Sequence, residues 1–173
     1  MPNYKNILAI DPSGNWYEGK GTTGFCFIKA GVRDITFESI CASSYNSQNA
    51  YWTAHLDIIQ KWCKQSGKSF IVVMEDYILY ANKAESQINS HMETSKLIGV
   101  IQHYCFQKNI PLYMEPAAAV KKRWNNSILE YRGYIKRAGS NGWRTQNGVL
   151  VNRHCLDALR HAVHYDTFKN KNK

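Results

Sequence analysis

Short apolar runs rich in β-branched and aromatic residues open the chain, and helical spacing of apolar positions takes over after residue 50. Tyr4 to Ile10 is one such run, ending in Asp11-Pro12-Ser13-Gly14, where proline and glycine stop a ladder. Thr22 to Ile28 and Ile35 to Cys41, with Gly31 between them, predict a hairpin and hence a three-stranded antiparallel meander. Ala50 to Cys63 places Leu56, Ile59 and Trp62 at helical spacing, and Ser66-Gly67 supplies its stop. Ser69 to Met74 contains FIVVM, a continuous run suited to a strand covered on both faces, and Glu75-Asp76 follows it. Met92, Leu97, Ile98, Ile101 and Tyr104 predict a second helix within Ser86 to Phe106, and Pro111 to Met114 a fifth strand. Cys155, Leu156, Leu159, Ala162 and Val163 share a helical face over Asn152 to Phe168, before a polar tail, FKNKNK. No internal repeat is visible, and Asn125 to Val151 is the weakly patterned stretch.

This order predicts an α/β fold: a five-stranded mixed sheet, three antiparallel strands followed by parallel ones, flanked by helices. At 173 residues and 44% hydrophobic content, residues 1–173 are expected to form one domain. Lys and Arg number 22 against 13 Asp and Glu, a formal charge of +9 that favours a polyanionic partner, although basic chains also arise for solubility alone. The five cysteines are scattered, odd in number and set in apolar stretches without a C-x-x-C pair, which reads as buried thiols in a reducing compartment. No apolar run reaches the length of a membrane span, and the N-terminus lacks the order of a signal peptide; a cytoplasmic protein without membrane contact is the expectation.

Functional groups of α/β folds gather at strand ends. Asp11 and Glu75 lie at the ends of predicted strands and Asp157 in the last helix, so three remote acids converge if those strands are neighbours. Taken singly, each is ordinarily a turn residue or a cap. Gathered, they repel and call for a divalent cation, and hard oxygen ligands favour Mg²⁺ or Mn²⁺. His154 stands one helical turn before Asp157 on the same face, where it either faces the metal or packs beside the core. His161 shares the face of Asp157 and fits a supporting role, while His164 is expected at the surface. Lys122, Arg123, Lys136, Arg137 and Arg144 interleave with Trp124, Tyr131, Tyr134 and Trp143, a mixture that suits phosphates and unstacked bases, or else a solvated face with its aromatics turned inward.

Several segments resemble the RuvC family of Holliday junction resolvases, within the RNase H-like superfamily. ILAIDPSGN followed by TTGFCFI is similar to the family's opening, with Trp16 to Gly21 as extra turn sequence and Ser13-Gly14 in reversed order. VVMEDY resembles the strand carrying the catalytic Glu, METSKLIGVIQ the next helix, PLYMEPAAAVKK the strand and helix leading to a basic residue, and HCLDALRHAVHY the terminal helix, with His154 in the place of its first acid. The resemblance spans Tyr4 to Lys122 and Asn152 to Tyr165, and Asn125 to Val151 does not match. It implies a homodimeric endonuclease that hydrolyses four-way or branched DNA with Mg²⁺, or Mn²⁺ in its place, two ions per active site. Asp11, Glu75, His154 and Asp157 would be the catalytic and metal set, and Lys121 would lie near the scissile phosphate. Lys121, Lys122, Arg123, Lys136 and Arg137 would face DNA, and Tyr77 or Tyr80 would replace the family's aromatic, whose position Ile78 holds here. The helix near His91 to Phe106 would form the dimer contact, and a short form with a rewritten turn suggests a phage-encoded member.

Three rivals stand beside this reading. GNWYEGKG, Gly14 to Gly21, nearly spells a Walker A loop, but Gly21 replaces the Mg²⁺-binding Ser or Thr and a strand follows where a helix is needed; an actin-like ATPase would need a second glycine-rich loop, which is missing. A nuclease for flaps or RNA–DNA hybrids would use the same acids. A non-catalytic DNA-binding protein would keep the basic surface without them.

Overall fold

The computed structural model describes residues 4–32, 34–76, 92–140 and 142–170. A five-stranded sheet is built from β1 (Asn6–Asp11), β2 (Thr22–Lys29), β3 (Ile35–Cys41), β4 (Phe70–Asp76) and β5 (Leu112–Pro116). Its spatial order is β3-β2-β1-β4-β5. The first three strands pair antiparallel, while β4 lies parallel to β1 and β5 parallel to β4. Parallel neighbours require crossovers, which α1 (Gln48–Ser66) and α2 (Glu93–Gln107) provide; α1 is capped by the Ser47 hydroxyl accepting from the Ala50 N–H.

Alternation along the strands divides the core in two. Leu8, Ile10, Phe25, Phe27, Val72 and Met74 face one side, where they pack with Ile59 of α1 and Leu97, Ile98 and Ile101 of α2. Ile7, Ala9, Cys26, Ile28, Ile71 and Val73 face the other, against Leu156, Leu159, Ala162 and Val163 of the last helix, α5 (Arg153–Phe168). That helix begins at Asn152, whose side-chain oxygen accepts from the Cys155 N–H.

Between β5 and α5 run α3 (Ala117–Arg123), α4 (Asn126–Tyr131) and a second, three-stranded sheet of β6 (Lys136–Ala138), β7 (Gly142–Arg144) and β8 (Leu150–Val151). The weakly patterned stretch is therefore ordered, in strands of two or three residues that are too short to show periodicity. Two expectations need correcting. Cys41 is exposed and Cys63 half-buried, so only Cys26, Cys105 and Cys155 are buried thiols. His164 is half-buried, its ring tilted against Phe168 with centroids 5.0 Å apart, and burial lowers its pKa. Among the described residues no helix is long and apolar enough to cross a membrane.

Candidate active site

The side of the sheet that carries α5 ends in carboxylates. Ile7 and Ala9 are followed at the same spacing by Asp11, Ile71 and Val73 by Glu75, and Tyr113 by Glu115. Because β1, β4 and β5 are parallel neighbours, these acids stand side by side at one edge, with Glu75 directly opposite Glu115. Helix α5 lies across them and adds His154, Asp157 and His161 from one face. Gly24 sets the distance of approach. It pairs with Asp11, and a Cβ there would fall 2.2 Å from the His154 carbonyl carbon, so only glycine admits the start of α5 this close.

At one end of the cluster His154 Nδ1 lies 2.8 Å from Asp11 Oδ2, a hydrogen bond in which the imidazole donates. At the other end the buried His161 ring lies between two acids, with Nδ1 3.2 Å from Glu115 Oε2 and Nε2 3.3 Å from Glu75 Oε2. Lys121, from the last turn of α3, joins the halves: its Nζ is 3.1 Å from Glu75 Oε2 and 3.4 Å from Asp157 Oδ2. Arg160 donates to Asp157, to Asn126 Oδ1 and to the Trp124 carbonyl, tying α5 to α3 and α4.

Burial raises the Asp11 pKa, and the charges of Glu75 and Asp157 add to it against the opposing bond from His154. For Glu75 burial alone would push upward, but the His161 hydrogen bond and the Lys121 charge outweigh it and hold the carboxyl at about 2. His154 is raised, first by its bond to Asp11. Burial pulls both Lys121 and His161 down, and the acids around them more than restore both, so each sits above its ordinary value. Each acid of the cluster thus has a basic side chain beside it: His154 on Asp11, Lys121 on Glu75 and Asp157, His161 on Glu75 and Glu115. Among the described residues no three His, Cys, Asp or Glu side chains are arranged to enclose a metal ion; Lys121 and His161 each stand between two carboxylates instead.

Asp11, Glu75, His154, Asp157 and Lys121 lie in one cluster, and His161, on the same helical face as Asp157, touches Glu75. Glu115 and Arg160 escaped the sequence reading. Lys122, Arg123, Lys136 and Arg137 are exposed along α3 and β6; Arg123 lies over Phe168, and Lys136 donates to the Gln146 carbonyl. Of their aromatic companions Trp124 is buried, Tyr134 packs on the core and Tyr131 is exposed. Tyr77, Ile78, Tyr80 and His91 lie outside the described residues.

The Walker-like turn is no phosphate cradle, because its amides are engaged. Buried Glu93 at the start of α2 accepts from the Trp16 and Tyr17 N–H groups and from Gln48 Nε2. A Cβ on Gly14 would fall 2.2 Å from the Glu93 backbone, so the turn is docked closely on α2.

The sheet order, with helices on both faces and acids at one edge, defines an RNase H-like fold. A solved structure with this architecture is T. thermophilus RuvC in complex with Holliday junction substrate, matched with a TM-score of 0.66 over 96% of this chain and 96% of that one. The two sequences are 15% identical, so the likeness shows the fold. No protein-family model matches the chain, and no curated protein matches it.

Proposed function

We propose that the chain is a divalent-metal-dependent endonuclease that cuts four-way or otherwise branched DNA. The observation that carries this reading is the meeting of Asp11, Glu75 and Asp157, from three remote elements, with the Lys121 ammonium held between Glu75 and Asp157. A structural acid would need one partner, whereas Asp11, its pKa raised first by burial, also feels the charges of Glu75 and Asp157, which raise it further. The RNase H-like architecture supports the same chemistry by analogy.

The donor set fits Mg²⁺ or Mn²⁺, since it is made of carboxylate oxygens with one imidazole, and the edge already holds a cationic group between two of them. Asp11, Glu75 and Asp157 would hold the ions, with His154 as a ligand or a proton carrier. Two such ions, when bound, supply positive charge to the phosphate and make water nucleophilic near neutral pH. Lys121, freed from Glu75 and Asp157, would offer its charge to the phosphoryl oxygens in the transition state. His154 donates from Nδ1 to Asp11, which would leave Nε2 of the neutral ring to act as ligand or base. His161 fixes Glu75 and Glu115 in place from the buried side. Lys122, Arg123, Lys136 and Arg137 would line the path of the DNA backbone, Tyr77 or Tyr80 would meet unpaired bases, and a two-fold dimer would match the two strands of a junction.

Cutting rates on a four-way junction, a flap, a plain duplex and an RNA–DNA hybrid, with Mg²⁺, test the assignment. The junction should be cut fastest; preference for the hybrid would overturn the substrate assignment, and no cutting of any of them would overturn the nuclease.

A further inference from the structure

Beside the acid cluster a cavity of about 440 Å³ opens between the start of α5, the turn from α3 to α4, and β7. Small-ligand sites occupy about 300–1,000 Å³, so it has room for one such group. Lys121 and Asp157 belong to both the cluster and this cavity, which makes the two contiguous. Most of its polar wall is already engaged. Arg160 is committed to Asp157, Asn126 and the Trp124 carbonyl, and Lys121 to Glu75 and Asp157.

Arg153 differs. It is exposed at the first position of α5 and has no hydrogen-bond or ion-pair partner among the described residues. An uncommitted guanidinium suits an anion with two oxygens. The rest of the wall is apolar, with Val151, Leu156 and the half-buried Trp143, whose ring carries the Arg137 guanidinium 5.6 Å from its centre. An anion site joined to an aromatic wall suits a nucleotide better than free phosphate. A base can lie against an indole only after leaving its own stack.

We propose that this cavity receives one nucleotide of the strand being cut, unstacked and adjoining the scissile phosphate, with its phosphate on Arg153 and its base against Trp143. The inference rests on the nuclease reading of the acid cluster. Trp143 would then decide which base is accepted beside the cut, and Arg153 would hold the strand in register.

Single abasic sites placed in turn across the cut region of a four-way junction test it. In the unaltered protein an abasic site at one position next to the cut should lower kcat/KM by roughly ten-fold, the scale of losing one base–aromatic stack. Trp143→Ala should lose about as much on the intact junction and become indifferent to that abasic site. Arg153→Ala, an exposed change that spares the fold, should lower the slope of log affinity against log salt by about one ion. An abasic profile equally deep in Trp143→Ala, or an Arg153→Ala slope equal to that of the unaltered protein, overturns the subsite. Asp11→Asn run alongside separates the two readings: if it still cuts, the acid-cluster reading fails, whereas an inactive Asp11→Asn protein with an unchanged Trp143→Ala profile overturns the subsite alone.

Discussion

The two sides of the five-stranded sheet bury polar groups in opposite ways. Towards α1 and α2 the buried His55 is held neutral. Its Nδ1–H donates to the Tyr51 carbonyl and its Nε2 accepts from the Thr23 hydroxyl, both at 2.8 Å, and burial lowers its pKa to about 4. Thr23 also accepts from the Ser13 N–H, and Tyr51 donates to the Ser13 carbonyl, so this neutral network fixes the turn that follows Asp11. Towards α5 the acids are buried or half-buried and in contact with Lys121, His154 and His161. One side holds a backbone still, and the other gathers charge at the ends of the strands, which the proposed nuclease would use on a phosphate.

The sharpest way to break this contrast is to remove one acid. Asp11→Asn should lower junction cutting by on the order of a thousand-fold, comparable to losing a group that acts only on the transition state. Its melting temperature should hold or rise, because a raised carboxyl pKa means that the fold disfavours the charge. Leu8→Ala on the other side should do the reverse, costing about 2–5 kcal/mol of stability for a fully buried leucine while the folded fraction keeps its rate. Rate and denaturation measured on both proteins check the pair.

Gly24→Ala falls between these. The added methyl would meet the α5 backbone and push His154 from Asp11, costing about 1–3 kcal/mol together with activity, which crossing the rate with thermal melts would show. A smaller effect is expected from pH. His55 sits at about 4 in the fold against an ordinary 6.5, so the unfolded chain binds the extra proton first. Its contribution to stability is complete above about pH 6.5 and declines as pH falls towards 4. His55→Gln should flatten that part of a melting-temperature profile. Smallest of all, Lys122→Ala on the exposed side of α3 should weaken DNA binding by a few-fold at most and reduce the salt slope by about one, as titrations at several salt concentrations would register.

The α5 side was the more legible in the sequence. Asp11 and Glu75 stand out because each closes a run of apolar residues, and His154 and Asp157 because they share a helical turn. Glu115 has the same position on β5, yet PLYME is too short and too mixed to reveal its alternation; only the register opposite Glu75 makes it visible. Arg160 follows Asp157 by three residues and reads as an ordinary exposed helix charge until α3 and α4 are seen packed against it. The same limit hid β6 to β8, whose order comes from pairing across short strands. Glu93, in METSKL, gives no sign that it secures a turn almost eighty residues earlier, since such a contact exists only once α2 has crossed the sheet.

Junction cutting by the purified protein, with Mg²⁺ and again after EDTA, beside Glu75→Gln in the same assay, bears most directly on the acid cluster. Cutting should require the metal, stop with EDTA, return on adding Mg²⁺ or Mn²⁺, and be absent from Glu75→Gln throughout. Cleavage that persists in EDTA, or that Glu75→Gln performs at the normal rate, would contradict it.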